Sequence, residues 1–157
     1  MKTIIIFLLL ATTTQASPPS ERGKCLMMIQ SDRVSIFINS IWNDAKRIEE
    51  TYNIPMAITI AQCCLESAYG SSNLAKQNCN FFGLKNNHKY NSYSSKSECF
   101  DHYGRTMSQK CYKNLQPYTL SDWYSALECC GYAASKSYTS KLNNIIFKLN
   151  LDLLNYK

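Results

Sequence analysis

Between Pro55 and Gly70 runs MAITIAQCCLESAY, a segment almost wholly apolar or small that carries one charged residue, Glu66. Read as a helix entered through Pro55, it sets Ala57, Ile58, Ile60, Ala61, Cys64, Leu65 and Ala68 around too much of its circumference for a helix with one face in water. Such a segment has to be enclosed, which predicts a mainly α single domain arranged around a central buried helix. Steps of four and then three residues back from Glu66 reach Gln62 and Thr59, and a step of three forward reaches Tyr69, so the polar groups share one stripe able to line a cleft.

Gly70 is read as the left-handed residue that ends this helix, which leaves Glu66 in the last turn among unpaired carbonyls. A partly negative helix end and burial against Leu65 and Tyr69 both favour the protonated carboxyl. That suits a general acid for glycoside cleavage, which holds its proton until the leaving oxygen needs it. Spacing alone is equally met by a glutamate that reaches into solvent from a helix end.

The flanking chain supplies partners for the buried helix. Val34, Phe37, Ile38, Ile41, Trp42, Ala45 and Ile48 recur at three- and four-residue steps after a cap at Ser31 or Asp32, while Asp44, Lys46, Arg47, Glu49 and Glu50 lie mostly off that face. Ser71 and Ser72 cap a short turn around Leu74 to Gln77, followed by a loop lobe, Asn78 to Ser95, rich in Asn, Lys, Tyr and Ser. In the loop Phe81 and Phe82 are apolar islands suited to anchoring. Asn80, Phe82 and Lys85, with Gln62 and Tyr69, are the candidate substrate contacts, and Tyr90 and Tyr93 offer flat faces for sugar rings.

Ser95-Lys96-Ser97-Glu98 reads as a capping box, with Glu98 reaching back to the Ser95 amide, before a helix whose apolar face is Cys99, Phe100, Tyr103 and Met107. Thr119 and Ser121 are candidate caps for a helix holding Trp123, Tyr124, Ala126 and Leu127 and ended by Gly131. A last amphipathic helix carries Leu142, Ile145, Ile146, Leu149 and Leu153, with Tyr138 near its start read as core.

The run AQCCLESAYGSSNLAK followed by NFFGLK resembles the A-Q-x-x-L-E-S-x-[WY]-G-x-S-x-L-A and N-x-F-G-[IL]-K blocks of the bacterial glucosaminidase family, peptidoglycan hydrolases that include flagellar muramidase-like and autolysin enzymes. Downstream, GYAASKSYTSKL is similar to the family's G-Y-A-T-D-x-x-Y-x-x-K-[IL] block, so the resemblance spans roughly residues 32 to 150. It implies a lysozyme-like fold over 32–157, Glu66 as catalytic acid, and Tyr132 in the cleft orienting water or the N-acetyl group. The block's Thr-Asp is Ala134-Ser135 here, and no acidic residue occurs from Cys79 to Ser97, where the family usually carries a second carboxylate in a hairpin. Glu98 therefore has two readings, a cap or a second catalytic carboxylate.

The first residues, MKTIIIFLLLATTTQAS, have a short apolar core and a small-residue site ending at Ala16, the pattern of a secretory signal peptide, 1–16. The apolar run is too short for a membrane anchor. A polar lead, 17–31, then precedes the domain, and the 157 residues less the 16 of the leader leave 141, one domain with a sizeable core. The net charge of +6, or +5 without Lys2, favours anionic partners such as the bacterial wall. Basic residues are spread out rather than interleaved with stacking aromatics, which argues against nucleic acid.

All eight cysteines, Cys25, Cys63, Cys64, Cys79, Cys99, Cys111, Cys129 and Cys130, lie beyond the leader, and an even count in a secreted chain reads as a disulfide framework. There is no C-x-x-C and only two histidines, His88 and His102, so no metal site and no cofactor is expected. In the resembling family the Cys63, Cys64 and Cys130 positions hold small residues where helices pack closely, which implies a bridge from Cys63 or Cys64 to Cys129 or Cys130. The chain is thus read as a secreted, monomeric endo-β-N-acetylglucosaminidase acting on peptidoglycan. A lytic transglycosylase or goose-type lysozyme, and a non-catalytic cationic wall-binding protein, are the competing readings.

Overall fold

A computed structural model describes residues 32–109, 119–132 and 137–155. In chain order they form α1 (Asp32–Tyr52), α2 (Met56–Ser67), α3 (Asn73–Asn78), β1 (Lys85–Asn86), β2 (Lys89–Tyr90), α4 (Lys96–Met107), α5 (Leu120–Cys129), α6 (Tyr138–Lys148) and a terminal 3-10 helix (Leu151–Asn155). The expected leader and N-terminal lead, Cys25, Cys111, Ala134 and Ser135 lie outside the described residues.

The apolar segment is the centre of the molecule. Every residue of α2 from Met56 to Cys64 is buried, and α2 packs against α1, α6 and the terminal 3-10 helix. The periodic face of α1 meets it, with Ile41, Ala45 and Ile48 fully enclosed and Trp42 half-buried at the margin. Leu142, Ile145, Ile146 and Leu149 close the other side, together with Leu151. Leu153, grouped with that face by its spacing, is 52% exposed because the chain leaves the α-helical period in the 3-10 turn.

The loop lobe is fastened by aromatic packing. Phe82 stacks on Tyr103 with ring centroids 3.9 Å apart and meets Phe100 edge-on at 4.9 Å, while Phe81 stacks on Phe37 at 6.3 Å. Burying a phenylalanine stabilises by about 2–3 kcal/mol, so these contacts tie a polar loop firmly to α1 and α4. Its tip is an antiparallel hairpin pairing Lys85 with Tyr90 and Asn86 with Lys89, turned through Asn87 and His88, both at positive φ.

Three features depart from the sequence expectations. Asp44 is buried rather than solvated, accepting from Ser97 Oγ at 2.6 Å and Arg47 Nη2 at 3.1 Å, while Arg47 also pairs with Asp101. This charged seam joins α1 to α4. The central helix stops before Gly70, with Ala68 (φ 49) as its left-handed cap and Tyr69 (φ 54) and Gly70 (φ 73) following in the same region.

The expected bridge from Cys63 or Cys64 to Cys129 or Cys130 is not formed. Cys63, Cys64, Cys79, Cys99 and Cys129 are free thiols, and Cys130 is disulfide-bonded. Cys63 and Cys64 are enclosed in the core, where burial pushes the Cys64 thiol up to about 12, whereas Cys129 is exposed on α5, which packs on α6.

Candidate active site

The last turn of α2 brings Glu66 to the boundary between core and surface. Glu66 is half-buried, and its Oε1 accepts a hydrogen bond from the Tyr138 hydroxyl of α6 at 2.9 Å. Behind it the polar groups form a chain: Tyr103 on α4 donates to Gln62 Oε1 at 2.7 Å, and Gln62 Nε2 donates to Tyr138 Oη at 3.1 Å. Glu66 Oε2 faces the loop lobe, where a Cβ placed on Gly83 would lie 3.6 Å away. Gly83 adopts φ +63, a conformation glycine enters without strain, and this turn sets the loop backbone over the carboxyl.

Burial lifts the Glu66 carboxyl above the usual carboxylate range, and the Tyr138 hydroxyl opposes that by stabilising the ionised form. Tyr138 is itself pushed far above the ordinary phenol range, by burial first and then by the adjacent carboxyl, so it stays a proton donor. The turn after α2 is built to hold this end. Ser67 Oγ donates to Cys63 O at 2.6 Å and accepts from Gly70 N at 2.8 Å, and Tyr69 N donates to Cys64 O at 2.9 Å. Gly70 has no space for a side chain, because a Cβ would lie 2.5 Å from the Phe37 ring.

The residues named as substrate contacts divide sharply. Gln62 is fully buried and committed to Tyr103 and Tyr138, so the polar stripe of α2 runs from interior to surface rather than along a cleft wall. Asn80 is 1% exposed and shapes the loop, donating to Leu84 O at 2.8 Å and Asn91 O at 2.9 Å and accepting from Leu84 N at 3.0 Å. Phe82 anchors the loop from inside. Tyr69 and Lys85 do reach solvent, Lys85 lying 4.4 Å over the Tyr90 ring.

Comparison with known proteins gives this fold a lineage. Residues 42–151 match the glucosaminidase family model, described as mannosyl-glycoprotein endo-beta-N-acetylglucosaminidase. The chain belongs to the glucosaminidase family. Exo-glucosaminidase LytG of Bacillus subtilis (strain 168) is 30% identical over 173 residues, covering 92% of this chain and 61% of LytG, so the chain spans about three fifths of that relative. The catalytic domain of the autolysin Auto from Listeria monocytogenes superposes with a TM-score of 0.68 at 25% identity, over 90% of this chain and 99% of that domain. The glycoside hydrolase domain of Salmonella typhimurium FlgJ shares the fold, with a TM-score of 0.63 at 22% identity over 76% of this chain and 90% of that one.

Within this glucosaminidase domain Glu98 stands at the opposite kind of helix end. Its Oε2 accepts from Ser94 N and Ser94 Oγ, each at 2.7 Å, and its amide donates to Ser95 Oγ at 3.2 Å. Ser95 caps the helix as expected, but the reciprocal arm of the capping box is not made, since Glu98 reaches Ser94 instead of the Ser95 amide. Those bonds hold the exposed Glu98 carboxyl below the usual carboxylate range. Tyr132 is half-buried, its ring 5.6 Å from that of Tyr138.

The sequence reading missed Tyr138 and Tyr103 as site residues, having placed both in the core. Both are indeed buried, and nothing in helical spacing tells where a buried hydroxyl ends. The available signal was chemical: a buried tyrosine needs a partner for its O–H, and Gln62 and Glu66 were the polar groups of the helix it had to pack on.

Proposed function

We propose that this glucosaminidase-family domain is secreted through the leader at 1–16 and hydrolyses β-1,4 glycosidic bonds of the GlcNAc-MurNAc chain of peptidoglycan, with Glu66 as general acid. The observation that carries the reading is the Glu66 carboxyl itself: half-buried, raised in proton affinity, with Oε1 engaged by Tyr138 and Oε2 turned toward the loop lobe. Such a group keeps its proton to higher pH than an ordinary carboxyl and can deliver it to the leaving oxygen as the glycosidic bond breaks.

The second group is supplied differently from a two-carboxylate site. Among the described residues, burial and Tyr138 alone shift Glu66, with no contribution from a neighbouring carboxylate, and Glu98 is occupied by Ser94. The oxocarbenium-like centre is then met by the substrate's own acetamido oxygen or by water held at Tyr132. Among the described residues no helix is long and apolar enough to cross a membrane, and no cluster of His, Cys, Asp and Glu is arranged to hold a metal ion.

The test is clearance of bacterial wall suspensions. Wild type should clear them and Glu66→Gln should be slower by at least about 100-fold, the scale of general acid catalysis; equal clearance by both overturns the acid assignment. Mass spectrometry of the products separates the competing chemistries. Reducing GlcNAc ends support this reading, anhydro-MurNAc ends a transglycosylase, and wall binding without any fragments a non-catalytic protein. Fragment length distinguishes endo from exo cleavage, on which the names of the family model and of LytG differ.

A further inference from the structure

The polar chain that ends on Glu66 begins deep in the protein. Tyr103 and Gln62 have no solvent exposure, Tyr138 is 9% exposed, and Phe82 lies flat on the Tyr103 ring. Each link uses a group that can give in only one way. A tyrosine hydroxyl has one proton to donate, an amide oxygen only accepts and an amide nitrogen only donates. Tyr103 gives its proton to Gln62 Oε1, which turns the amide nitrogen toward Tyr138. Tyr138 therefore accepts from Gln62 and has its own proton left for Glu66 Oε1.

We infer that Tyr103 and Gln62 are positioning residues that fix the direction of the Tyr138 hydroxyl, so that Glu66 Oε1 always accepts and the acid's proton rides on Oε2, beside Gly83. This rests on the reading of Glu66 as the acid. Run in the opposite direction, the chain would have Tyr138 donating to Gln62 and accepting from Glu66. The carboxyl would then hold its proton on Oε1, inside the protein, and its conjugate base would lack a donor. In the observed direction each donation also polarises the next hydroxyl and strengthens it as a donor. No new bond is needed during the reaction; the chain delivers an acid with one oxygen already assigned.

The groups facing Glu66 define what a titration reads. Tyr138 comes from α6 with Tyr132 behind it, and Gly83 comes from the loop. The experiment is a ¹³C carboxyl NMR titration of Glu66, run beside the pH profile of wall clearance, in wild type, Tyr103→Phe and Gln62→Leu. Tyr124→Phe is the control, since it removes a hydroxyl that donates to Asn143 between α5 and α6, away from the chain.

With Tyr103 silenced or the amide gone, Tyr138 is a weaker or less constant donor to the carboxylate. The Glu66 midpoint and the alkaline limb of kcat should both move upward, by about half a pH unit, the scale of part of one hydrogen bond. The rate should fall several-fold with KM unchanged, and Tyr124→Phe should match wild type. A merely structural role would lower activity with the folded fraction and leave the midpoint in place, and that outcome overturns the inference.

Wild type gives a check that does not depend on a variant folding. The Gln62 side-chain N–H protons should show nuclear Overhauser contacts to the Tyr138 ring, and contacts to Tyr103 in their place would reverse the chain and end the proposal. If wild type releases no fragments from walls, the glycosidase reading fails while the titration still decides the direction of the chain. An active enzyme with unmoved midpoints sinks the chain alone.

Discussion

Two glutamates at two helix ends show how position assigns chemistry to the same side chain. Glu66 sits in the last turn of α2, half enclosed, with one hydroxyl donor and a proton affinity raised by burial. Glu98 sits in the first turn of α4, exposed, bonded to the amide and hydroxyl of Ser94, with its affinity lowered. An amino-terminal helix end offers free N–H groups and rewards a carboxylate, whereas a carboxy-terminal end offers carbonyls and does not. The difference teaches that the proposed acid is marked by what its helix withholds, and the cap by what its helix supplies.

The largest effect tests that contrast in activity. Glu66→Gln should cost at least about 100-fold in wall clearance, while Glu98→Gln should clear walls at the wild-type rate once measured at a temperature where both are folded. A comparable loss in both variants, with native far-ultraviolet spectra, would make Glu98 a second catalytic group and break the comparison. Next in size is the turn that aims Glu66. Gly70→Ala forces a Cβ into the Phe37 ring at a positive φ, and should destabilise the domain by about 2–3 kcal/mol in urea unfolding. A midpoint within error of wild type would mean that the turn after α2 relaxes freely and does not hold Glu66 in place.

Much of this architecture is legible in the sequence, because helical period carries it. The enclosure of Met56 to Cys64 and the packing face from Phe37 to Ile48 follow from spacing and burial alone. The cap at Thr119 is also found, its Oγ1 accepting from Asp122 N at 3.2 Å. What period cannot tell is depth. Gln62 and Glu66 share one stripe, yet the surface begins between them, so one is an internal link and the other reaches the boundary of the protein. Asp44 and Arg47 look like an ordinary solvated pair until α4 brings Ser97 and Asp101 against them. The cysteines mislead for a related reason, since an even count says nothing about which thiols face each other, and Cys63 and Cys64 are used here as small core residues.

The finest test of the comparison is the sign of stability against pH. Glu66 binds its proton more tightly folded than unfolded, so below the unfolded carboxyl range both states are protonated and the residue has no net effect. As pH rises through that range and then through the raised folded value, the fold carries a disfavoured charge that an amide would not. Glu66→Gln should therefore gain melting temperature over wild type as pH rises out of the unfolded carboxyl range and through the raised folded value. Glu98 runs the other way: its folded carboxyl ionises more readily, the cap contributes above the unfolded range, and the contribution is lost as pH falls through the lowered folded value. Glu98→Gln should melt slightly below wild type at neutral pH, with the gap closing in acid. Melting curves of the three proteins across that range give two differences of opposite slope, and slopes of the same sign would mean that burial at Glu66 is not what sets it apart from a surface cap.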